Sequence, residues 1–156
     1  MSDTENTLVM ETTKGTVVIQ LRPDLAPKHV ARIKELARSG FYDGLIFHRV
    51  IDGFMAQGGD PTGTGTGGSG QNLEGEFSRE PHVRGVCAMA RSNDPNSADS
   101  QFFICYDEAP WLNGHYTVWG QVVEGMEHVD KFEQGEPVAN PDSIVSLRVQ
   151  SDVKAA

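Results

Sequence analysis

Apolar residues recur at every second position through much of this chain, and at spacings of three and four in two stretches. The first pattern marks strands with one buried face, the second marks amphipathic helices. LVMETTKGTVVIQL reads as a hairpin, with strands at 8–12 and 16–21 joined by a short turn at Lys14-Gly15. Ala26-Pro27 opens a helix in which Val30, Ile33, Leu36 and Ala37 form the apolar stripe, and Gly40 ends it. Further strands are predicted at 45–51, 54–57, 86–90, 101–106, 118–123 and 144–149, and a second short helix at 125–132. The glycines of 58–76 make that stretch a long loop. About eight short strands with two helices imply a mostly β, antiparallel domain, because the connections are too short for repeated helical crossovers.

One of these strands carries an anomaly. In FHRVIDGFMAQGGD, residues 47–60, Arg49 stands among apolar residues with no acid beside it in the alternating frame. Period two places Phe47, Arg49 and Ile51 on one face and Ile46, His48 and Val50 on the other. Phe54, Met55 and Gln57 follow the break at Gly53. A guanidinium rimmed by Phe, Met and a neutral amide suits an uncharged polar group within an apolar ligand. The alternative is that Arg49 pairs with an acid distant in the sequence.

Composition narrows the class. The chain's 156 residues fit a single domain, with the ends at 1–6 and 151–156 frayed. Thirteen basic against 22 acidic residues give a formal charge of −9, which disfavours nucleic acid and anionic membrane as partners. Residues 1–20 lack the apolar core of a signal peptide, and no apolar run approaches a membrane span, so a cytoplasmic location is expected; a monomer is expected as well. Cys87 and Cys105 sit inside apolar runs, where a reduced thiol serves as a small hydrophobe.

Several familiar chemistries lack their residues. Gly63, Gly65 and Gly68 have the spacing of a dinucleotide fingerprint, but no strand leads into them and no helix follows. The five histidines are scattered without ligand spacing, so neither a metal nor any cofactor is expected. The cysteines have no basic neighbour in the strand frame, and Ser69 has no G-x-S-x-G setting.

FHRVIDGFMAQGGD, the glycine-rich GTGTGG at 63–68, SQFFI at 100–104 and WLNGHYTVWGQVVEGM at 111–126 occur in this order. Together they resemble the cyclophilin family of peptidyl-prolyl isomerases over nearly the whole chain. The resemblance implies a closed eight-stranded antiparallel β-barrel capped by two α-helices, with a filled lumen and the ligand outside. It implies that Arg49 is catalytic, that Phe54, Met55, Phe103 and Leu112 form the proline pocket, and that Gln57 orients the peptide backbone. Ala90 and the backbone of Arg91 would grip the residue before proline, with Gln101, Gly65 and Thr66 at the rim of the next subsite. Trp111 matches the tryptophan associated with cyclosporin, which makes that drug an expected inhibitor. Two departures stand out. Tyr116 replaces the histidine of many members, and ARSNDPNSADSQFF is a residue longer than the familiar form, with Arg91 where asparagine is usual.

The leading expectation is therefore a metal-free, non-covalent isomerase acting on proline-containing peptides and on folded or unfolded protein clients. An apolar groove with one arginine also fits a proline-peptide binding module or holdase with incidental activity. A small-molecule carrier ranks last, because the inward positions are space-filling Val, Ile, Leu and Phe.

Overall fold

The computed structural model describes residues 4–63, 68–91, 94, 96–135 and 138–150. Eight strands form one antiparallel sheet: β1 (Thr7–Thr12), β2 (Gly15–Leu21), β3 (Arg49–Ile51), β4 (Met55–Gly58), β5 (Val86–Met89), β6 (Phe102–Cys105), β7 (Val118–Glu124) and β8 (Ile144–Val149). Their order is β3-β4-β6-β5-β7-β2-β1-β8. The hairpin forms as expected, with Leu8 opposite Ile19 and Met10 opposite Val17. The sheet curls so that one face closes on itself. The segment leading into edge strand β3 is joined to the start of β8 by a seam rather than a ladder: Gly44 N–H donates to Ile144 O at 2.6 Å, Ile144 N–H to Leu45 O at 2.8 Å and Phe47 N–H to Asp142 O at 2.9 Å. The expected closure is thus made by irregular backbone that still satisfies buried donors.

Helix α1 (Pro27–Ser39) starts with proline, whose fixed φ suits the first turn, and buries Val30, Ile33, Leu36 and Ala37 against the sheet. Gly40 ends it at φ 80°, donating its N–H to Ala37 O at 3.2 Å. The second helix, α2, is a single turn at Met126–Val129, and turn hydrogen bonds carry the chain on to Phe132.

Alternation divides the sheet's two faces. Ala56, Cys87, Met89, Phe102, Ile104 and Trp119 point inward with Leu8, Met10, Ile19 and Leu147, and fill the interior with side chains. Met55, Val86, Ala88, Phe103, Cys105 and Val118 point outward, where the loops carrying Ala109 and Leu112 cover them. Strands β5 and β6 are consequently buried along their whole length. The lumen is full, so a ligand has to use the outer face.

The segment before β3 departs from its expected form. A seven-residue strand was predicted at 45–51, but the ladder begins at Arg49, and Ile46 makes only an isolated bridge to Ser143. Residues 45–48 instead bond to the 138–144 segment, which breaks the alternating frame. Phe47 therefore does not share a face with Arg49. It is buried in the interior, 4.5 Å from Phe132 and 6.1 Å from Phe102 between ring centroids, while Ile51 packs with the outer cluster.

Candidate active site

Strand register assembles the site. Arg49 on β3 lies opposite Gln57 on β4, Gln57 opposite Phe103 on β6, and Phe103 opposite Ala88 on β5. These four form one cross-strand row on the outer face, because directly opposed residues project to the same side. Along β4 from Gln57, Met55 projects to that side and pairs with Cys105. A cavity of about 140 Å³ opens over this row, lined by Arg49, Phe54, Met55, Gln57, Ala90, Arg91, Phe103, Leu112 and Tyr116. Every one of these lining residues belongs to the motifs singled out above. The volume suits one residue's side chain, being well below the ~300–1,000 Å³ of drug-sized sites.

The polar edge is ordered by hydrogen bonds. Arg49 Nη1 donates to Gln57 Oε1 at 3.3 Å, and Gln57 Nε2 donates to Gln101 Oε1 at 2.9 Å. These bonds link Arg49, Gln57 and Gln101 into one row of polar groups along the cavity's edge. The apolar floor is buried: Met55 is 2% exposed and Phe103 5%. Trp111 is 63% exposed, yet its ring sits 5.8 Å from that of Phe54, just outside the cavity. Gly65 and Thr66 lie outside the described residues.

Phe77, His82 and Asn113 do not line the cavity but support residues that do. His82 is buried and stacks on Phe103 at 6.1 Å, with its ring edge toward Tyr116. Its backbone N–H donates to Asn113 Oδ1 at 2.7 Å, and its carbonyl accepts from Ala109 N–H at 2.8 Å, so it anchors both ends of the Pro110–Leu112 turn. Burial lowers the His82 pKa against the raising effect of Asn113, which keeps the ring neutral at pH 7. Tyr116 meets Phe103 edge-on at 5.6 Å. The Arg91 guanidinium lies 4.9 Å from the Tyr116 ring centroid and 5.6 Å from that of Phe77. No motif includes Phe77 or His82, and Asn113 falls within the WLNG element without a role of its own there, because their partners are brought by loops distant in the sequence.

Among the described residues no group of three His, Cys, Asp or Glu side chains is placed to hold a metal ion. Cys87 and Cys105 are free and buried, and burial raises both thiol pKa values, that of Cys105 to about 12. Neither thiol lines the pocket. The groups gathered around the cavity are two guanidiniums, those of Arg49 and Arg91, the Gln57 amide and an apolar floor.

Residues 7–150 match the family described as cyclophilin type peptidyl-prolyl cis-trans isomerase/CLD. The chain belongs to the cyclophilin-type peptidyl-prolyl cis-trans isomerases. A protein of Brucella suis named probable peptidyl-prolyl cis-trans isomerase is 51% identical over 170 residues, covering 98% of this chain and 87% of that protein. Peptidyl-prolyl cis-trans isomerase B of Bacillus subtilis is 44% identical, covering 77% of this chain and 85% of its own. Among cyclophilins of known structure, one from Hirschia baltica superposes with a TM-score of 0.90 at 35% identity, over 97% of this chain and 76% of that one. A Cryptosporidium parvum cyclophilin crystallised in the presence of the dipeptide Ala-Pro gives 0.85 at 32% identity, over 92% of this chain and 98% of that one. The cyclophilin relationship thus spans the whole sheet on which the cavity lies.

Proposed function

We propose that this isomerase seats the proline ring on Phe54, Met55, Phe103 and Leu112 and twists the preceding peptide bond beside Arg49. The task is to break amide conjugation. The planar X-Pro bond resists rotation by roughly 18–20 kcal/mol, and uncatalysed exchange takes tens to hundreds of seconds. As the bond twists, the prolyl nitrogen becomes pyramidal and its lone pair localises. A donor aimed at that nitrogen then binds the twisted state more strongly than the planar one, which is the differential that accelerates a reaction. Arg49 suits this role because a guanidinium stays charged and presents rigid donors, and the apolar floor strengthens each contact. A differential of about 5.5 kcal/mol would supply roughly 10⁴ in rate.

Gln57, held between Arg49 and Gln101, would orient the peptide backbone. Ala90 and Arg91 would contact the residue next to proline, and Trp111 would add apolar area for larger ligands such as cyclosporin. The clients are proline-containing segments of folding or folded proteins, reached in the cytosol by a monomeric chain. The row Arg49–Gln57–Phe103, set by register on the face opposite the filled interior, is the observation that supports this reading.

Arg49→Ala tests it. The ratio kcat/KM on an Xaa-Pro tetrapeptide should fall at least tenfold, with Tm within roughly 2 °C of wild type, since the donor acts mainly on the twisted state. An unchanged rate, or a loss of stability in proportion to the loss of rate, would overturn the assignment.

A further inference from the structure

The cavity has parts that the sheet alone does not hold together. Phe103 in its floor belongs to β6, whereas Leu112 and Tyr116 in its wall stand on the loop between β6 and β7. The spacing between floor and wall decides whether a proline ring touches both.

His82 bridges the two. It lies in the loop before β5, and that loop is itself tied to β6, with Gly85 N–H donating to Cys105 O at 2.9 Å. From there His82 meets the loop after β6 through backbone and ring alike. Its carbonyl takes the Ala109 N–H at 2.8 Å, its own N–H donates to Asn113 Oδ1 at 2.7 Å, and its Nδ1 lies 3.2 Å from that same oxygen. Leu112 N–H donates to Ala109 O at 2.9 Å, and Asn113 N–H to Pro110 O at 3.1 Å. The turn that carries Leu112 is therefore suspended between Ala109 and Asn113, both of them fixed to His82.

The ring completes the bridge. An oxygen that already accepts a backbone N–H is an acceptor, so the Nδ1 facing it carries the proton. Nε2 is buried and has no hydrogen-bond partner among the described residues, which leaves Nδ1 and the ring faces to hold the side chain. Those contacts reach rings that line the cavity: His82 lies at 19° to Phe103, 6.1 Å between centroids, and nearly perpendicular to Tyr116 at 6.4 Å. Phe103 and Tyr116 also meet each other at 5.6 Å, so the three rings fix one another. At 1% exposure, His82 acts on a ligand only through these neighbours.

We propose that His82 is a positioning residue that sets the spacing between the Phe103 floor and the Leu112–Tyr116 wall, and so governs how tightly the proline ring is gripped. The inference rests on the isomerase reading of the same cavity. The grip is felt equally by the planar and the twisted bond, because the ring stays seated while the bond beside Arg49 turns. His82 therefore contributes uniform binding, which appears in KM and not in kcat.

Three replacements divide its contacts while keeping its backbone bonds. His82→Phe retains a ring and loses the Nδ1–H, His82→Asn retains a donor near the Nδ1 position and loses the ring, and His82→Ala loses both. Initial rates over a range of Xaa-Pro tetrapeptide concentrations should show KM raised about five- to tenfold in His82→Ala, with kcat within about twofold of wild type, and the other two variants should each recover part of the affinity. Binding of the dipeptide Ala-Pro, titrated by NMR, should weaken in the same order. KM does not depend on the fraction of molecules folded, so a purely structural role has the opposite signature: apparent kcat falls with the folded fraction while KM stays constant. His82→Phe and His82→Asn carry the test where His82→Ala is too unstable to assay. A KM within about twofold of wild type in every variant that folds, or a fall in kcat larger than the loss of folded protein, would overturn the inference and leave the isomerase intact. Wild type that binds Ala-Pro but turns over no tetrapeptide would instead overturn the isomerase reading, and the dipeptide affinities would still decide the role of His82.

Discussion

Trp111 combines high exposure with a defined position, since its ring packs against Phe54 at one side of the cavity. An indole placed this way offers a broad apolar surface and one N–H donor to a ligand too large for the pocket itself. Cyclosporin should therefore bind with one side chain in the cavity and its ring over Trp111. Trp111→Phe should weaken it by roughly tenfold, the scale of one lost donor and part of one ring face. Titration of both forms by tryptophan-independent calorimetry checks this, and equal affinities would return Trp111 to a structural covering of the sheet. At this scale the chemistry was legible wherever a side chain's role follows from its immediate neighbours. Arg49, Gln57 and Met55 line the cavity together because two adjoining strands of one hairpin carry them. Phe47 does not keep the face that alternation gives it, because residues 45–48 bond to a distant segment. His82 escaped notice because its stacking on Phe103 depends on a loop of its own.

Helix α1 shows what sequence signals can and cannot carry for an element. Pro27 and Gly40 mark its ends, but its first turn has no cap of its own: Ala26 offers no side-chain acceptor. The acceptor comes from Glu76, whose carboxylate takes the N–H groups of Lys28 at 3.1 Å and His29 at 2.8 Å and the His29 Nδ1–H at 2.6 Å. The Glu76 N–H in turn donates to Thr117 Oγ1 at 2.9 Å, so one residue ties α1, the long loop and the segment after Tyr116 together. Burial raises the Glu76 pKa, but the bonds from His29 and Lys28 outweigh it and the net shift is downward. Nothing local could reveal this cap, because 47 positions separate Glu76 from His29. Glu76→Ala should cost about 1–2 kcal/mol, or roughly 3–6 °C in Tm, as for other lost caps. The exposed Lys28–Glu74 ion pair supplies the control: Glu74→Ala should change stability by less than ~0.5 kcal/mol. Equal effects of the two substitutions in thermal melts would show that Glu76 is only another surface acid.

For the molecule as a whole, the eight-stranded antiparallel count was legible from periodicity, whereas the seam between 44–47 and 142–144 was not, since irregular backbone has no period. Its consequences reach the response to acid. Burial, first among the causes, holds His29, His48 and His82 below the ordinary histidine value of 6.5. The unfolded chain takes up these protons near pH 6.5 and the folded chain only at lower pH, so stability is full above 6.5 and is lost as pH falls through the folded values. Glu76 and Asp142, lowered from 4.5 and 3.8, add a second loss below those values. Acidification also relieves the repulsion of a −9 chain, so a paired comparison is needed. His29→Gln keeps a donor for Glu76 without the proton uptake, and its Tm should therefore gain on wild type between pH 7 and 5. A difference in Tm independent of pH would sink this account. The same packing makes the two thiols reporters of global opening. Cys87 and Cys105 lie fully buried on the adjoining central strands β5 and β6, and burial pushes their pKa values up, so the reactive thiolate is suppressed twice over. Strands buried along both faces cannot expose a thiol without separating the interior from the floor of the cavity. At pH 7.5 a thiol reagent should modify the native chain at least ~10³-fold more slowly than the chain in denaturant, a bound set by an ordinary domain stability of roughly 5 kcal/mol or more. Arg49→Ala should leave this protection unchanged while abolishing most of the turnover, which separates chemistry from opening. Rapid modification of the native chain with turnover retained would mean that β5 and β6 open independently of the rest, and that the floor of the site is not the rigid surface on which the proline is proposed to sit.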